Sequence, residues 1–344
     1  MGRRLWRSPF LWAWPRWYPT RREVRDVILW AVIRKFRRAW CFLLQRLNPR
    51  TADRKAVKDV LEDVAALPRE YWRSFERAFY TLQLRAYLSE KLKLEDRYKQ
   101  DTRVVTDFAL CIHALLREAH GKKTKCEYHE SILGALEGND SVMSFNYDLV
   151  VERATRGIAE SKSIKFGPWL YGFEPRHGAR KLPLLLKLHG SSNWRLNTTD
   201  AQDSGKHFQV RTKEWKDFDN APGYTRISTR ETTAFPIFLP FWDKRIEHRP
   251  WVTLWREALK KLRSAENVIV WGYSMPPTDI KAYVLFTLGL SDRPLNLCII
   301  DPKWESRERW RNLFHDARYW EYKSAQNFLA HKPFWFGATG PSER

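Results

Sequence analysis

The sequence predicts an α/β fold in which a helical region precedes a parallel sheet with helices on both faces. Apolar residues recur at helical spacing through residues 51–140. From Ser141 the period changes, and short apolar runs alternate with helical patterns. Such alternation is typical of a parallel sheet whose two faces are both covered.

Four helices are predicted in residues 51–140. The first ends at Pro68 and has apolar residues at positions i, i+3, i+4 and i+7, namely Val57, Val60, Leu61 and Val64. Apolar or aromatic stripes mark three more helices, over Trp72 to Leu82, Val105 to Leu115 and Ser131 to Leu136. The last of these runs into Gly138-Asn-Asp, a turn signal. We interpret the aromatic stripes as core.

The second part of the chain, residues 141–325, contains the predicted sheet. Its buried strands are expected at Val142–Phe145, Leu182–Leu188, Asn267–Trp271 and Leu295–Ile300. Helices are expected to follow three of them, over Leu149–Arg156, 279–290 and Glu305–Phe314. Residues 196–235 are polar and irregular, which predicts a long loop or excursion. Residues 326–344 are expected to form a tail that is loosely held beyond about His331.

Composition limits the class of protein. The chain has 344 residues, of which 43% are hydrophobic and 29% charged, as in soluble globular proteins. Its best apolar run, Val27 to Ile33, is far shorter than the roughly 20 residues that cross a bilayer, so no transmembrane segment is expected. The four cysteines form no CxxC pair, which indicates a reduced, cytoplasmic protein without a zinc site. Cys126 and His129 could share a metal, but no second ligand pair supports one, and no metal is predicted.

The positive charge is concentrated at the N-terminus. The net charge is +21, and residues 1–50 supply about half of it, with 13 Lys and Arg against 2 Asp and Glu. Six tryptophans lie among these residues. The segment is consistent with a membrane-surface helix or a nucleic-acid arm. It is equally consistent with a shifted reading frame or a wrongly chosen start. The lower charge of the remaining chain suits a protein that binds a polyanionic small molecule.

Polar side chains follow the predicted strands, where an open α/β sheet builds its ligand site. His189 ends one strand in the string Lys187-Leu-His-Gly-Ser-Ser-Asn-Trp194 and is expected to face a cleft. An unperturbed imidazole titrates near pH 6.5, so it can accept or relay a proton at neutral pH. Gly190 would let a ligand approach the backbone. Alternatively, the histidine merely caps the turn.

Another strand ends in Ser144-Phe-Asn-Tyr-Asp148. Asn146 offers both a donor and an acceptor, so it could hold a ribose hydroxyl or order a water molecule. Asp148 stands at the start of a predicted helix. There its carboxylate would cap the backbone N–H groups, which is the interpretation favoured for this residue.

The remaining two strand ends carry Gly272-Tyr-Ser274 and Asp301. Gly272, Ser274 and the N-terminus of helix 279–290 could cradle a phosphate, although Pro276-Pro277 could equally make the segment a rigid connector. Asp301 is placed to bind a ribose diol. Alternatively, it caps the helix at Glu305 to Phe314.

Taken in order, these strings resemble the sirtuin-like NAD-cleaving family. The turns Asn-x-Asp, Leu-His-Gly and Gly-x-Ser and the polar strand end match over residues 141–322. The fuller strings, with Phe235-Pro-Ile-Phe-Leu-Pro240 followed by Lys244 and Trp255, are similar to a bacterial branch found in phage-defence operons. The four-cysteine zinc module of the sirtuin deacetylases is absent from the sequence, which argues against peptide deacetylation.

The resemblance implies a Rossmann-like sheet, NAD as substrate, and hydrolysis to nicotinamide and ADP-ribose. It implies that His189 is the base and that Asn146 positions the nicotinamide ribose and the attacking water. Asp148, Gly190 and Ser191 would lie against the NAD. Gly272 and Ser274 would hold phosphates or ribose, and Asp301 the adenosine ribose. A second copy of the chain or a defence-system protein is the implied partner.

One part of the family pattern is missing. A glycine-rich loop should precede the helical region and wrap the pyrophosphate, but Gly2 is the only glycine in residues 1–50. Bulky residues do not adopt the positive φ angles of such a loop. Either another frame encodes the loop or a principal part of the NAD site has been lost. Two other functions therefore stay open. The first is a catalytically degenerate sirtuin-like protein that binds a nucleotide or partner. The second is a module that binds a membrane surface or, less expected, nucleic acid through the basic arm.

Overall fold

The computed structural model describes residues 59–107 with short gaps, 126–164, 168–172, 182–196, 208–210 and 251–336. Single residues are left out of the ranges 182–196 and 251–336. The basic arm, most of the third predicted helix and the segment from Phe235 to Lys244 lie outside the described residues. Predictions made for them stay predictions.

The described chain is a mixed α/β structure. Its helices are α1 (Phe75–Lys91), α2 (Glu127–Gly134), α3 (Val150–Ser161), α4 (Trp251–Ser264), α5 (Ile280–Leu290), α6 (Trp304–Leu313) and α7 (Ala325–Ala330), with a 3-10 turn at Pro168–Tyr171. Its strands are β1 (Ser141–Ser144), β2 (Leu184–Lys187), β3 (Trp194–Leu196), β4 (Phe208–Val210), β5 (Asn267–Trp271), β6 (Asn296–Ile300) and β7 (Arg318–Tyr322). All four predicted strands are confirmed to within a few residues.

The helical character of the N-terminal part is confirmed where it is described. Residues 59–60 and 62–64 are helical, and the chain leaves the helix before Pro68. Helix α1 continues to Lys91, well beyond Leu82, the last residue of the apolar stripe that predicted it. Helical backbone resumes at residue 95, earlier than the apolar stripe from Val105 suggests. The stretch from 95 to 104 is rich in charged residues that favour helix without forming a stripe, so periodicity alone does not detect it.

The strands form two parallel sheets and one small antiparallel pair. Strands β1 and β2 are parallel, with Ser144 opposite Lys187. Strands β5, β6 and β7 form the other parallel sheet, in that order. Strand β4, which pairs with β3, lies inside the segment that was predicted as a loop or excursion. Strand β7 was not predicted, because its residues Arg-Tyr-Trp-Glu-Tyr are half-exposed on an edge and form no apolar run.

A single apolar cluster joins both parallel sheets to the helices. It contains Leu185 of β2, Leu254 of α4, Phe286 of α5 and Ile299 of β6. Helices α4 and α5 approach so closely that a Cβ added to Gly289 would lie 2.6 Å from Cβ of Leu262. The shared core fixes the carboxyl ends of β1 and β2 relative to the turn that follows β5.

Two aromatic residues after α7, Trp335 and Phe336, pack against the rest of the protein. Phe336 is buried, and its ring lies 4.9 Å from that of Phe328. Trp335 packs edge-on against Trp320 at 5.7 Å. The expected loosely held end therefore does not begin at His331, because the aromatic side chains that follow it provide apolar area to bury. In the described part of the chain, no helix combines the length and apolarity needed to cross a membrane.

Candidate functional site

The histidine at the end of β2 is the centre of the candidate site. Its Nε2 atom lies 2.9 Å from Oδ2 of Asp279, at the start of α5. The imidazole is 1% exposed and packs edge-on against Phe145, with ring centroids 5.0 Å apart. His189 was expected to face an open cleft, and this expectation is wrong for the conformation described. Aromatic residues on the neighbouring turns enclose the ring, which a strand-end position alone does not reveal.

Tyr273 connects the turn after β5 to the same cluster. Its hydroxyl donates to Oδ2 of Asp279 at 2.9 Å, and its ring stacks on Phe145 at 4.2 Å. Burial and the negative charge of Asp279 raise the pKa of Tyr273 well above its usual value, so the phenol keeps its proton. The ends of β1 and β2 and the turn between β5 and α5 therefore meet around His189.

Sequence reasoning did not select Asp279 or Tyr273. An aspartate directly before a helix is normally interpreted as a cap, and Asp279 does occupy the N-cap position of α5. Its side chain makes no capping hydrogen bond and points to His189 and Tyr273 instead. The carboxylate also occupies the N-terminal end of α5, where a phosphate was predicted. A phosphate bound there would meet a like charge.

Asn146 and Asp148 have different environments. Asn146 is exposed, between the buried residues Phe145 and Tyr147, and its backbone N–H donates to Oγ of Ser144 at 3.2 Å. Its side chain is therefore accessible, and the predicted contact with a ligand stays a prediction. The carboxylate of Asp148 accepts a hydrogen bond from the backbone N–H of Val150 at 3.0 Å, in the first turn of α3. Leu149 is the N-cap residue of α3, so Asp148 binds this backbone N–H from one residue before the cap, a shift from the predicted N-cap position.

A second polar cluster lies buried beneath the His189 turn. Lys187 and Glu152 are both fully buried, with Nζ of the lysine 3.2 Å from Oε1 of the glutamate. Oε1 of Glu152 also accepts from the hydroxyls of Tyr171 and Ser191, each at 3.2 Å. The Asn193 amide donates to the Tyr171 hydroxyl at 3.0 Å. Ser191, which was predicted to contact NAD, has its hydroxyl directed at Glu152 within the protein, and its contact with NAD stays a prediction.

This buried cluster ties the neighbouring turns together. Nζ of Lys187 donates to the carbonyl oxygen of Asp148 at 2.5 Å, which links β2 to the turn after β1. Burial raises the pKa of Glu152, and the charge of Lys187 opposes the increase. Much of the string from Lys187 to Trp194 therefore serves to fix the turn that carries His189.

Two glycines give the turns their shape. Gly190 has φ = 91° and Gly272 has φ = 67°, in the left-handed region that favours glycine. Ser274 was predicted to hold phosphate or ribose and lies half-exposed in the turn after Gly272. Its carbonyl oxygen, with that of Met275, accepts from Nη1 of Arg309 on α6. Arg309 thereby fixes the turn and brings a positive charge beside Ser274.

Asp301 ends β6 next to the Gly272 turn, where the Gly272 N–H donates to the carbonyl oxygen of Ile300. Its Oδ1 atom accepts from the backbone N–H of Lys303 at 2.8 Å, just before α6. Its Oδ2 atom is buried and makes no hydrogen bond to the described residues. A buried carboxylate oxygen of this kind is expected to have a partner, which a bound ligand could supply.

Cys126 and His129 form a pair near the same region. Nδ1 of His129 lies 3.0 Å from Sγ of Cys126, and the ring packs on Trp271 at 4.3 Å. Burial lowers the pKa of His129 to about 4, against the opposing charge of Asp148, so the imidazole is neutral at pH 7. Within the described ranges, no three His, Cys, Asp or Glu side chains are grouped as metal ligands.

Comparison with known proteins adds no assignment. No family model matches the chain, and a search of curated proteins gives no significant match. What the site can bind follows from its own side chains.

Proposed function

We propose that this chain is a sirtuin-like NAD-binding protein that hydrolyses the bond between nicotinamide and ribose, in a bacterial defence context. In this proposal the two parallel sheets are parts of one Rossmann-like sheet. The observation that carries it is the convergence of three segments on His189, at the ends of β1 and β2 and at the turn between β5 and α5. Ligands of open α/β folds bind at the carboxyl ends of the strands.

The side chains around this point suit the parts of NAD. Asn146 is exposed and can donate to and accept from the nicotinamide ribose or a water molecule. The Oδ2 atom of Asp301 has no partner among the described residues and can accept from a hydroxyl of the adenosine ribose. Gly190 and Gly272 have no side chain to obstruct a ligand at the backbone. The guanidinium of Arg309 supports phosphate binding beside Ser274.

The proposed reaction needs one base and one oriented water. The bond between C1′ of the ribose and the nicotinamide nitrogen breaks, and its electron pair leaves with nicotinamide. The water oxygen bonds to C1′, and the proton that it loses passes to His189. Asn146 orients the water. Stabilising the oxocarbenium-like ribose and aiming the water lower the barrier.

A second candidate is a sirtuin-like protein that binds a nucleotide or partner without turnover. The burial of His189 favours it, because a ring that is 1% exposed in this conformation must become accessible before it reaches substrate. The lack of a glycine-rich loop in residues 1–50 favours it as well.

Nicotinamide release from NAD tests the proposal. The full chain is compared with His189→Gln, whose amide can still donate to Asp279, and with His315→Gln, whose histidine is 81% exposed. We expect release by the wild type and by His315→Gln and a loss of at least about a hundredfold in His189→Gln. Asn146→Ala is expected to lower release too. Saturable NAD binding without release would support the second candidate, and equal release by all variants would contradict the role of His189.

A further inference from the structure

We propose that Asp279, together with Tyr273, is a positioning residue that fixes the tautomer of His189. In this arrangement the imidazole carries its proton on Nε2, and Nδ1 is the atom that takes the proton from water. The inference rests on the proposed function for its catalytic part. The tautomer itself is a property of the protein without substrate.

The hydrogen bonds at Asp279 determine which nitrogen is protonated. A single oxygen, Oδ2, lies 2.9 Å from Nε2 of His189 and 2.9 Å from the hydroxyl of Tyr273. A carboxylate oxygen only accepts, so both partners must donate to it. The phenol can donate because its raised pKa keeps it protonated. Nε2 therefore carries hydrogen, and a neutral imidazole then has its lone pair on Nδ1.

The surrounding residues hold this arrangement in place. Asp279 is 1% exposed and stands at the N-terminus of α5, where the helix dipole favours a negative charge. The Tyr273 ring is stacked on Phe145, and the Tyr273 carbonyl oxygen accepts from Nε1 of Trp310 at 3.0 Å. The carboxylate thus has a fixed position, and a fixed acceptor can select one tautomer of a histidine.

Nitrogen chemical shifts of the imidazole test the tautomer directly. The full chain is labelled with 15N-histidine, and the His189 signals among the nine histidines are assigned by their loss in His189→Gln. Without NAD, at a pH at which the ring is neutral, we expect its proton on Nε2. Asp279→Leu removes the acceptor that Nε2 and the Tyr273 hydroxyl share, so we expect the Nε2-protonated form to decline. Tyr273→Phe should cause a smaller change in the same direction.

A matched control is available on the surface. His315 and Asp316 form an exposed pair at 3.2 Å, so Asp316→Asn should leave the His189 signals and turnover unchanged. Asp279→Leu is expected to lower kcat by about a hundredfold or more with a much smaller change in KM. Asp279→Glu should restore part of the Nε2-protonated signal if its longer side chain reaches the ring.

The two proposals fail in different ways. A neutral wild-type ring protonated on Nδ1 would overturn the positioning role, whatever the turnover. Unchanged His189 signals in Asp279→Leu would overturn it too. The expected tautomer without any nicotinamide release would leave the positioning role of Asp279 intact and count against the proposed reaction.

Discussion

Replacing Lys187 by methionine should destabilise the fold substantially. Lys187 and Glu152 are both completely buried, 3.2 Å apart, and the lysine also donates to the carbonyl oxygen of Asp148. Removing one partner of a buried ion pair costs ~3–5 kcal/mol. Because Tyr171 and Ser191 still donate to Glu152 in the variant, we expect the lower end, about 3 kcal/mol at pH 7.

The loss should depend on pH in a defined direction. Burial already raises the pKa of Glu152 from 4.5, and Lys187 is the main influence that lowers it. Without the lysine the pKa of the folded protein rises further. A carboxyl whose pKa is higher in the folded state binds its proton preferentially when folded, so stability falls as pH rises from 4.5 toward the folded value. The deficit of Lys187→Met relative to wild type should therefore be smaller at pH 5 than at pH 7.

Equilibrium urea denaturation followed by far-UV circular dichroism measures both effects. The control is Arg156→Met, on α3, the helix that also carries Glu152. It removes an exposed ion pair, in which Nε of Arg156 lies 2.7 Å from Oε1 of Glu160. Exposed pairs contribute little, so this variant should lose less than ~1 kcal/mol. The double variant Glu152→Gln/Lys187→Met leaves no buried charge and should be more stable than Lys187→Met alone. A Lys187→Met loss no larger than that of the control, or a deficit that grows at pH 5, would refute the reasoning.

Two further predictions concern helix packing and protonation. Gly289→Ala should lower the free energy of unfolding by about 1–3 kcal/mol, because the new Cβ would lie 2.6 Å from Cβ of Leu262. Gly157→Ala should raise it by up to about 1 kcal/mol, because the nearest atom to the new Cβ would be 3.5 Å away and alanine favours helix. Urea denaturation of both variants checks this, and equal changes would contradict it. His129 has its pKa lowered to about 4, so the unfolded chain binds its proton first, and stability should fall by about 3 kcal/mol as pH drops from 6.5 to 4. The variant His129→Phe, whose ring can still pack on Trp271, should not lose this stability when it is denatured with urea over the same pH range. An identical pH dependence of stability in the wild type and in His129→Phe would exclude His129 as the cause of the loss.

Strands could be predicted from the sequence where burial is complete. Strand β2, Leu184–Lys187, is buried at every position and appears in the sequence as a continuous apolar run. Strand β7 is half-exposed and mixes Arg and Glu with aromatic residues, so it has no such signal. The extension of α1 to Lys91 has no sequence signal for a related reason, because an exposed helical extension needs no apolar stripe.

The site was predictable in position but not in pairing. Strand ends meet at one edge of a sheet, so the neighbourhood of His189 followed from topology. The contact with Asp279 joins residues 90 positions apart and depends on packing that no local pattern records. The sequence also could not separate a ligand-binding serine from a buried one. Ser191 lies inside the protein because Glu152, far away in the chain, needs a donor there.

Chemical-shift mapping with NAD tests most directly that the strand ends form the ligand site. The full chain, labelled with 15N-histidine, is titrated with NAD while the signals of His189 and the exposed His315 are followed. We predict that the His189 signals shift saturably and that those of His315 do not. Saturating NAD that leaves the His189 signals unchanged would contradict the proposed site at the ends of β1, β2 and β5.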